Sequence, residues 1–308
     1  MKSGILQNRI SSLKRRGIIA SSFPLRHYLA IFVLVSLIGS CTASKTPTGE
    51  SKQEKINDVA YGTDPRNVMD VYLPAQRNVN TPFVLLIHGG AWVKAGKENV
   101  RDIQDTLLNH GIAVASINHR YANTSDVHYS QMLDDVDQAL NYCSQHALAW
   151  NTRKDGFVMV GASSGGHLAL LSAYTTSKNI KAVVEFSGPT NVNDTTLLNY
   201  ASKVGLIDAI QRMTGKNYIK GAPLDIAYAQ SSPITQVKNI PVLMIHGTSD
   251  VVVPFSQSEM LDRKLTSLGF EHKLLAIPNA GHDLNMNDLK TRSLVLTSAV
   301  DWVLKYGH

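Results

Sequence analysis

The sequence predicts an α/β fold in which a mostly parallel sheet carries helices on both faces. Short apolar runs alternate with amphipathic stretches of helical length from about residue 55 onward. The apolar runs are continuous, which is typical of strands that are buried on both faces of a parallel sheet. A glycine-rich turn, GASSGG, also joins one apolar run directly to a helical pattern, as in a strand–turn–helix unit.

The individual elements follow from the lengths and periods of these runs. Runs rich in Val, Ile and Leu predict strands at 68–74, 83–90, 112–118, 157–161, 180–186, 241–247 and 272–278. Helical spacing of apolar residues predicts helices at 99–111, 131–146, 165–176, 256–268 and 291–305. Gly111 stands where the first of these helices has to end, as glycine commonly does.

One segment, 187–236, interrupts the alternation of strands and helices. It contains no run with the character of a strand, and its stretch TTLLNYASKVGLIDAIQRM is amphipathic with helical spacing. An insertion of this length between two strands is usually a lid or a binding element. We therefore expect a small helical cap, and the alternative is a longer crossover that covers one face of the sheet.

The first 40 residues have the composition of a secretory leader. They contain six basic and no acidic residues, and an apolar stretch from Tyr28 to Gly39 follows the basic ones. This stretch is shorter than the about 20 residues that span a bilayer, so it fits the apolar region of a signal peptide. Its end, LIGSC, resembles the bacterial lipobox, and the resemblance implies a lipid on Cys41. The alternatives are an ordinary signal peptide or a membrane anchor, with Cys41 incidental. The basic segment is long for a signal peptide, which would fit a true start downstream of Met1.

The rest of the chain is expected to form a polar tether at 41–54 and a catalytic domain at 55–308. The tether carries no apolar periodicity, which is typical of flexible linkers. The leader 1–40 accounts for the whole excess of 30 basic over 24 acidic residues, so the composition gives no support for nucleic-acid binding. The expected location is a bacterial cell envelope, where the lipid would hold the exported domain at a membrane. Cys143, at helical spacing from Leu140, is predicted to be a buried structural thiol.

The turn around Ser163 is the first candidate for chemistry. Gly161-Ala162-Ser163-Ser164-Gly165 follows a predicted strand and opens a predicted helix. This is the context of a nucleophile elbow, in which the turn leaves no room for side chains beside the serine and lifts its hydroxyl above the sheet. The N–H groups at the start of the helix then point at the reacting atom.

A serine needs a base, and the base needs a carboxylate that orients it. Asp250 comes directly after the predicted strand 241–247, and His282 follows the next one. Because the carboxyl ends of parallel strands meet at one edge of the sheet, we expect these side chains to lie beside Ser163. Asp225 and Asp283 are the other acids considered, and neither follows a strand in this way. The run Asp134, Asp135 and Asp137 is interpreted as a solvated helix face.

The segment LLIHGGAW ends a strand at the same edge. Backbone N–H groups at Gly90, Ala91 and Ser164 are the predicted donors to the oxyanion of a tetrahedral intermediate. His88 is interpreted as a brace for this loop rather than a titrating group, and Trp92 is expected to line the substrate pocket. The histidines show no His-Glu-x-x-His or cysteine spacing, so neither a metal nor another cofactor is expected.

Taken together, these motifs resemble those of the α/β-hydrolase fold in its esterase and lipase group, over roughly residues 55–306. The resemblance implies that Ser163 is the nucleophile, His282 the general base and then acid, and Asp250 the orienting carboxylate. SSPI at 231–234 is similar to the segment that closes the cap in such enzymes. His-Gly-Gly-x-Trp is the form seen in kynurenine formamidases and in many small carbohydrate-ester and carboxyl esterases.

The sequence therefore favours a serine hydrolase that cleaves carboxylic esters through an acyl-enzyme. The expected substrates are small-molecule or carbohydrate esters with a short acyl or aryl group, such as acetyl or feruloyl groups on carbohydrate. An arylformamidase acting on N-formyl-kynurenine is the alternative with the same machinery. A lipid-anchored binding protein on a hydrolase scaffold is the alternative of another class.

Overall fold

Eight strands form one mixed sheet, which confirms the predicted α/β class. The computed structural model describes residues 51–308. The strands are β1 (Glu54–Ala60), β2 (Val68–Leu73), β3 (Phe83–Ile87), β4 (Ala113–Ile117), β5 (Phe157–Ala162), β6 (Ile180–Phe186), β7 (Val242–Gly247) and β8 (His272–Ile277). Their order across the sheet is β1-β2-β4-β3-β5-β6-β7-β8. Only the pairs β1–β2 and β2–β4 are antiparallel, and all later pairs are parallel.

Eight α-helices accompany these strands in residues 51–308. They are α1 (Arg101–Asn109), α2 (Tyr129–Trp150), α3 (Ser164–Thr175), α4 (Thr195–Lys203), α5 (Ile207–Thr214), α6 (Ile226–Gln230), α7 (Ser256–Leu268) and α8 (Leu289–Tyr306). Short 3₁₀ helices at Lys97–Val100 and Pro233–Thr235 complete the set. None of the helices in this part of the chain is both long and apolar enough to cross a membrane.

The core lies in two layers, one on each face of the sheet. In β3, Phe83, Leu85 and Ile87 point into the layer that contains α2 and α3, whereas Val84 and Leu86 point into the layer that contains α1 and α8. All five side chains are fully buried. Continuous burial of successive residues explains why the apolar runs in the sequence do not alternate with polar residues.

The edge strand β1 was not predicted from the sequence. Its residues, EKINDVA, are mostly polar and exposed, and it pairs with β2 through backbone hydrogen bonds along one side only. An exposed strand with mixed polarity lacks the apolar run that identifies its buried neighbours. The strand begins at Glu54, so the last residue of the expected tether at 41–54 is the first residue of β1. The expected leader, the lipid site at Cys41 and residues 41–50 lie outside the described residues.

The insertion 187–236 is helical, but its long amphipathic stretch is two helices rather than one. Helix α4 ends at Lys203 and α5 begins at Ile207, with Gly205 between them at φ +77°. This left-handed conformation favours glycine and ends the first helix. Both helices bury apolar side chains against the same layer as α2 and α3, namely Leu197, Leu198, Ala201, Ile210 and Met213. The inserted helices therefore pack against the core layer on one face of the sheet.

Candidate active site

Ser163 stands at the tight turn between β5 and α3. Its backbone has φ 54° and ψ −121°, which is a strained conformation for a residue with a side chain. A Cβ placed on Gly161 would lie 2.2 Å from the carbonyl oxygen of Gly165, and one on Gly165 would lie 2.2 Å from that of Ile87. The two glycines therefore let the turn close against β3, and the serine projects from its top.

His282 follows β8 and Asp250 follows β7, and both side chains lie at the same edge of the sheet as Ser163. His282 Nε2 lies 2.9 Å from Ser163 Oγ, and His282 Nδ1 lies 2.7 Å from Asp250 Oδ2. The imidazole is partly exposed, whereas the carboxylate side chain is fully buried. The three side chains thus form one hydrogen-bonded chain, and residues that are far apart in sequence meet at the carboxyl edge of the sheet.

The carboxylate of Asp250 is held by four donors. Its Oδ1 accepts hydrogen bonds from the backbone N–H groups of Val252 (2.7 Å) and Val253 (2.9 Å). Its Oδ2 contacts His282 and, at 3.2 Å, His246 Nε2. Burial alone would raise the pKa of Asp250, but the hydrogen bonds from the two histidines outweigh burial and hold that pKa well below its ordinary value. Asp250 is therefore ionised throughout the neutral range.

The His-Gly-Gly loop after β3 lies against the elbow, with Gly89 beside Ala162 and Ser163. His88 and His119 stack with ring centroids 4.7 Å apart, and both side chains are fully buried. Burial lowers the pKa of His88 to about 3 and that of His119 to about 4, so both rings are neutral at neutral pH. His88 Nδ1 lies 2.5 Å from the carbonyl oxygen of Gly89. This bond places His88 as a brace for the loop.

The loop turns sharply at Gly90 (φ +118°) and Ala91 (φ +51°). A Cβ on Gly90 would lie 2.0 Å from the carbonyl oxygen of Lys94, so only glycine fits there. Within residues 51–308, the N–H groups of Gly90, Ala91 and Ser164 donate to no protein acceptor. Ala91, Ser163 and Ser164 line the same cavity. The loop and the start of α3 therefore bring unpaired donors to the serine.

Trp92 is buried beside this loop and contacts His167. Its indole N–H donates to His167 Nδ1 at 3.2 Å, and His167 Nε2–H donates to the carbonyl oxygen of Ser231 at 2.7 Å. Burial lowers the pKa of His167 to about 4, so the ring stays neutral and serves as a linker. The contact joins the loop, α3 and the end of the cap, while the Trp92 ring forms part of the cavity wall.

Two cavities of different character share Ser163. One is apolar, with a volume of about 50 Å³, and cap residues form much of its wall, including Leu197, Ala201, Leu206 and Ile210. The other is an open cleft of about 480 Å³ that also contains His282. Half of the residues that line the cleft are apolar, and the charged ones besides His282 are Glu98, Arg101, Asp102 and Asp283. A substrate can therefore place a small apolar group on one side of Ser163 and a larger group of mixed polarity on the other.

The other acidic residues considered from the sequence have different roles. Asp225 caps helix α6 by accepting from the N–H of Ala227, and Asp283 accepts from the N–H of Asn285. The interpretation of the run at 134–137 as a solvated face is wrong for Asp135. That side chain is fully buried and forms an ion pair with Arg120 at 2.8 Å. Residues 51–308 contain no group of three or more His, Cys, Asp and Glu side chains placed to hold a metal ion.

A second layer of polar residues lies behind Asp250 and was not predicted. It consists of Glu185 in β6, His246 in β7 and Ser258 in α7, all fully buried. Glu185 is the only acidic residue in the apolar run IKAVVEF, and His246 interrupts the apolar run PVLMIHG. Polar residues within otherwise apolar strands are the signal in the sequence that marks such a buried site.

The tight fit of the elbow leads to a prediction about stability. Gly165→Ala should lower the free energy of unfolding by about 3 kcal/mol or more, because the added Cβ would meet the backbone oxygens of Ile87 and His88 within 2.4 Å. Thermal unfolding measures the change. Gly281→Ala is the matched control, since its nearest neighbour would be Asp283 Oδ1 at 3.6 Å. Equal stability of the two variants would contradict the packing described for the elbow.

Comparison with known proteins agrees with this architecture. The chain is 27% identical over 245 residues to a probable isoprenylcysteine alpha-carbonyl methylesterase of Oryza sativa subsp. japonica, with 75% of this chain and 58% of the relative covered. It is 25% identical to esterase LipC of Mycobacterium tuberculosis, with 75% and 60% covered. The chain thus spans less than two thirds of the length of these relatives.

A solved structure described as a truncated form of carbohydrate esterase from gut microbiota has the same fold. It superposes with a TM-score of 0.67 at 22% identity, covering 82% of this chain and 95% of that one. The family model called BD-FAE matches residues 69–265, which include β2 to β7, Ser163 and Asp250. Because this match extends over more than half of the sequence, the chain belongs to the BD-FAE family.

Proposed function

We propose that this protein is a serine hydrolase that cleaves carboxylic esters through a covalent acyl-enzyme. The observation that carries the proposal is the hydrogen-bonded chain Ser163–His282–Asp250, which ends at the serine shared by two cavities. The similarity to a methylesterase and to an esterase supports the same reaction class. A serine activated in this way is the nucleophile that attacks the carbonyl carbon in serine hydrolases, which supports the proposal.

The first half of the reaction transfers the acyl group to Ser163. His282 Nε2 accepts the proton of Ser163 Oγ as the oxygen attacks the ester carbonyl. Asp250 holds Nδ1–H and stabilises the imidazolium that forms. The N–H groups of Gly90, Ala91 and Ser164 bind the oxyanion, and each such donor lowers the barrier by about 3 kcal/mol. His282 then gives its proton to the alkoxide, and the alcohol leaves.

The second half of the reaction releases the acid. Water enters the open cleft beside His282, which takes one proton while the hydroxide attacks the acyl carbonyl. The same N–H groups hold the second oxyanion. When this intermediate collapses, His282 returns the proton to Ser163 Oγ, and the carboxylic acid leaves.

The two cavities assign the two halves of the substrate. The apolar cavity of about 50 Å³ has room for only a few non-hydrogen atoms, since one water molecule needs roughly 10–15 Å³ of such a volume. It therefore fits a short acyl group. The cleft of about 480 Å³ fits a larger alcohol, and the charged side chains among its lining residues can hydrogen-bond the hydroxyls of a polyhydroxylated one. We infer that the substrates are short-chain esters of polar alcohols, and acetylated carbohydrate is the substrate that fits both sides.

A panel of esters and amides tests this proposal on protein that lacks residues 1–41. The panel contains p-nitrophenyl acetate, butyrate and octanoate, an acetylated xylo-oligosaccharide, a feruloylated one and N-formyl-kynurenine. We expect the highest kcat/KM on acetyl esters, with the acetylated oligosaccharide among the good substrates. Faster turnover of N-formyl-kynurenine than of any ester would instead identify an arylformamidase. Turnover of none of them by folded protein would favour a binding role.

The size of the acyl cavity gives a second prediction. Leu206→Ala enlarges the cavity at a half-buried position, so kcat/KM for butyrate relative to acetate should rise about tenfold, the amount that a methylene or two contributes in an apolar pocket. Leu224→Ala is the matched control, because Leu224 packs on the same core without lining the cavity. An unchanged ratio in Leu206→Ala would place the acyl group elsewhere.

We also propose that the domain is exported and held at a bacterial cell envelope by a lipid on Cys41. The support is the basic leader followed by an apolar stretch and LIGSC. Expression of the full chain in a bacterium with a radiolabelled fatty acid should label the protein, and Cys41→Ser should abolish the label. A labelled Cys41→Ser variant, or an unlabelled wild type, would contradict the anchor.

A further inference from the structure

Behind Asp250, three buried side chains form a second hydrogen-bonded chain. His246 Nδ1 lies 2.7 Å from Ser258 Oγ, and Ser258 Oγ lies 3.2 Å from Glu185 Oε1. At its other end, His246 Nε2 lies 3.2 Å from Asp250 Oδ2 and 2.9 Å from the carbonyl oxygen of Val253. The chain therefore joins Glu185 to the carboxylate that orients His282, and the mechanism described above does not use it.

The partners of His246 determine where its protons lie. Nε2 faces two groups that can only accept, the Val253 carbonyl and the Asp250 carboxylate, so Nε2 carries a proton. Nδ1 faces the Ser258 hydroxyl, which can either donate or accept. If Glu185 is ionised, Ser258 donates to Glu185 and accepts from Nδ1–H, and His246 is an imidazolium. If Glu185 is protonated, it donates to Ser258, Ser258 donates to Nδ1, and His246 is neutral.

We propose that Glu185, Ser258 and His246 share one proton, and that the position of this proton sets the charge beside Asp250 Oδ2, the oxygen that also contacts His282. The transfer is balanced within the chain. Glu185 gives its proton to Ser258 Oγ while Ser258 gives its own to His246 Nδ1, so a neutral pair becomes a carboxylate and an imidazolium. These three residues are positioning residues, because they act on the reaction only through Asp250 and His282.

The surroundings of Glu185 allow both positions of the proton. The side chain is fully buried beneath the first turn of α3, and its Oε2 accepts from the N–H of Gly188 at 2.6 Å. Burial raises the pKa of Glu185 to about 7. Burial alone would lower the pKa of His246, but the carboxylates of Asp250 and Glu185 outweigh it and raise that pKa. Both shifts favour the protonated form of each group, so the two groups compete for the proton.

Other titratable groups face this chain from three elements. Tyr174 of α3 lies near Glu185, and burial together with the Glu185 charge raises its pKa, so it stays neutral. Asp250 approaches from the loop after β7, and His282 approaches from the loop after β8. The Phe255 ring packs edge-on against His246 and contributes no charge. The charges that depend on the position of the shared proton are therefore those of Glu185 and His246.

The state of His246 has a consequence for catalysis that rests on the proposed function. An imidazolium at His246 offsets the charge of Asp250 and repels a second proton on His282. The imidazolium therefore favours the neutral form of His282, which is the form that acts as a base. In a variant that lacks the imidazolium this form is disfavoured, and the acid side of the kcat/KM profile should move to higher pH.

The variant Glu185→Gln tests the proposal, since its amide can donate to Ser258 while its carbonyl accepts from Gly188. Ser258 then donates to Nδ1, which favours the neutral form of His246. The acid side of the kcat/KM profile should move to higher pH by about 0.5 unit or more. A lower kcat with an unmoved acid side would mean a merely structural role and would overturn the proposal.

Two further variants complete the activity test. Ser258→Ala removes the hydroxyl that connects Glu185 to His246 and leaves the Glu185 carboxylate in place. It should also move the acid side of the kcat/KM profile to higher pH, and it replaces Glu185→Gln in the test if that variant does not fold. Asp135→Asn is the matched control, because it also removes a fully buried carboxylate but one that is paired with Arg120. Its profile should keep the wild-type shape, and a shift equal to that of Glu185→Gln would overturn the proposal.

A measurement without substrate separates this inference from the proposed function. In protein labelled with ¹⁵N-histidine, the ring nitrogen shifts show which nitrogens carry protons. At about pH 7, His246 Nδ1 should carry a proton in a measurable fraction of wild-type molecules and in far fewer molecules of Glu185→Gln. Equal protonation of Nδ1 in both proteins would overturn the shared proton, whether or not the protein hydrolyses esters.

Discussion

Ser163→Ala is expected to lower kcat/KM for p-nitrophenyl acetate by a factor of about 10⁴ to 10⁶. The variant keeps the cavities and the oxyanion donors but lacks the atom that bonds to the acyl group. Any remaining rate would come from water that is positioned beside His282. The fold should persist, because the hydroxyl hydrogen-bonds only to His282 among the described residues. Steady-state kinetics together with thermal unfolding measures both effects.

The matched control for this variant is Ser172→Ala. Ser172 lies in the same helix, α3, and its buried hydroxyl has no hydrogen-bond partner within residues 51–308. Removing that hydroxyl should leave kcat/KM close to the wild-type value, since the residue contacts neither cavity. Turnover by Ser163→Ala within tenfold of wild type, in pure and folded protein, would rule out the assignment of the nucleophile.

Asp250→Asn is expected to lower kcat by a factor of about 10⁴. An amide that presents its NH₂ group to His282 would leave Nδ1 as an acceptor and put the ring proton on Nε2. That nitrogen lies 2.9 Å from Ser163 Oγ and could then no longer take the proton of the serine. The loss should appear in kcat more than in KM, because the carboxylate side chain is fully buried and touches no substrate.

Asp225→Asn is the control for this second variant. Asp225 was a candidate acid from the sequence, but its side chain caps α6 in the structure. Its replacement should change helix stability slightly and leave kcat unaffected. A loss below tenfold in Asp250→Asn, or an equal loss in Asp225→Asn, would show that another group orients His282.

The parts of the site that follow from local pattern could be predicted from the sequence. The elbow at Ser163 is a strand, a glycine-flanked turn and a helix in direct succession, so its form is set by neighbouring residues. Asp250 and His282 each follow a strand, and the geometry of a parallel sheet brings such positions to one edge. The distances of 2.9 Å from His282 Nε2 to Ser163 Oγ and 2.7 Å from His282 Nδ1 to Asp250 Oδ2 agree with that reasoning.

The features that depend on distant partners could not be predicted. The sequence predicts that Asp135 is solvated, because it does not show that Arg120 pairs with this side chain. The mostly polar segment of β1 is a strand because β2 supplies its hydrogen-bond partners. Glu185 and His246 lie on neighbouring strands, 61 positions apart in the sequence, and α7 supplies the serine between them. Each of these requires knowledge of which elements pack together.

The most direct test of the proposed mechanism is a covalent label on the nucleophile. Folded protein is treated with a fluorophosphonate, digested and examined by mass spectrometry. We predict one phosphonylated peptide that contains Ser163, its disappearance in Ser163→Ala, and loss of esterase activity in proportion to labelling. Full labelling of another residue, or activity that persists when Ser163 is fully modified, would contradict the account.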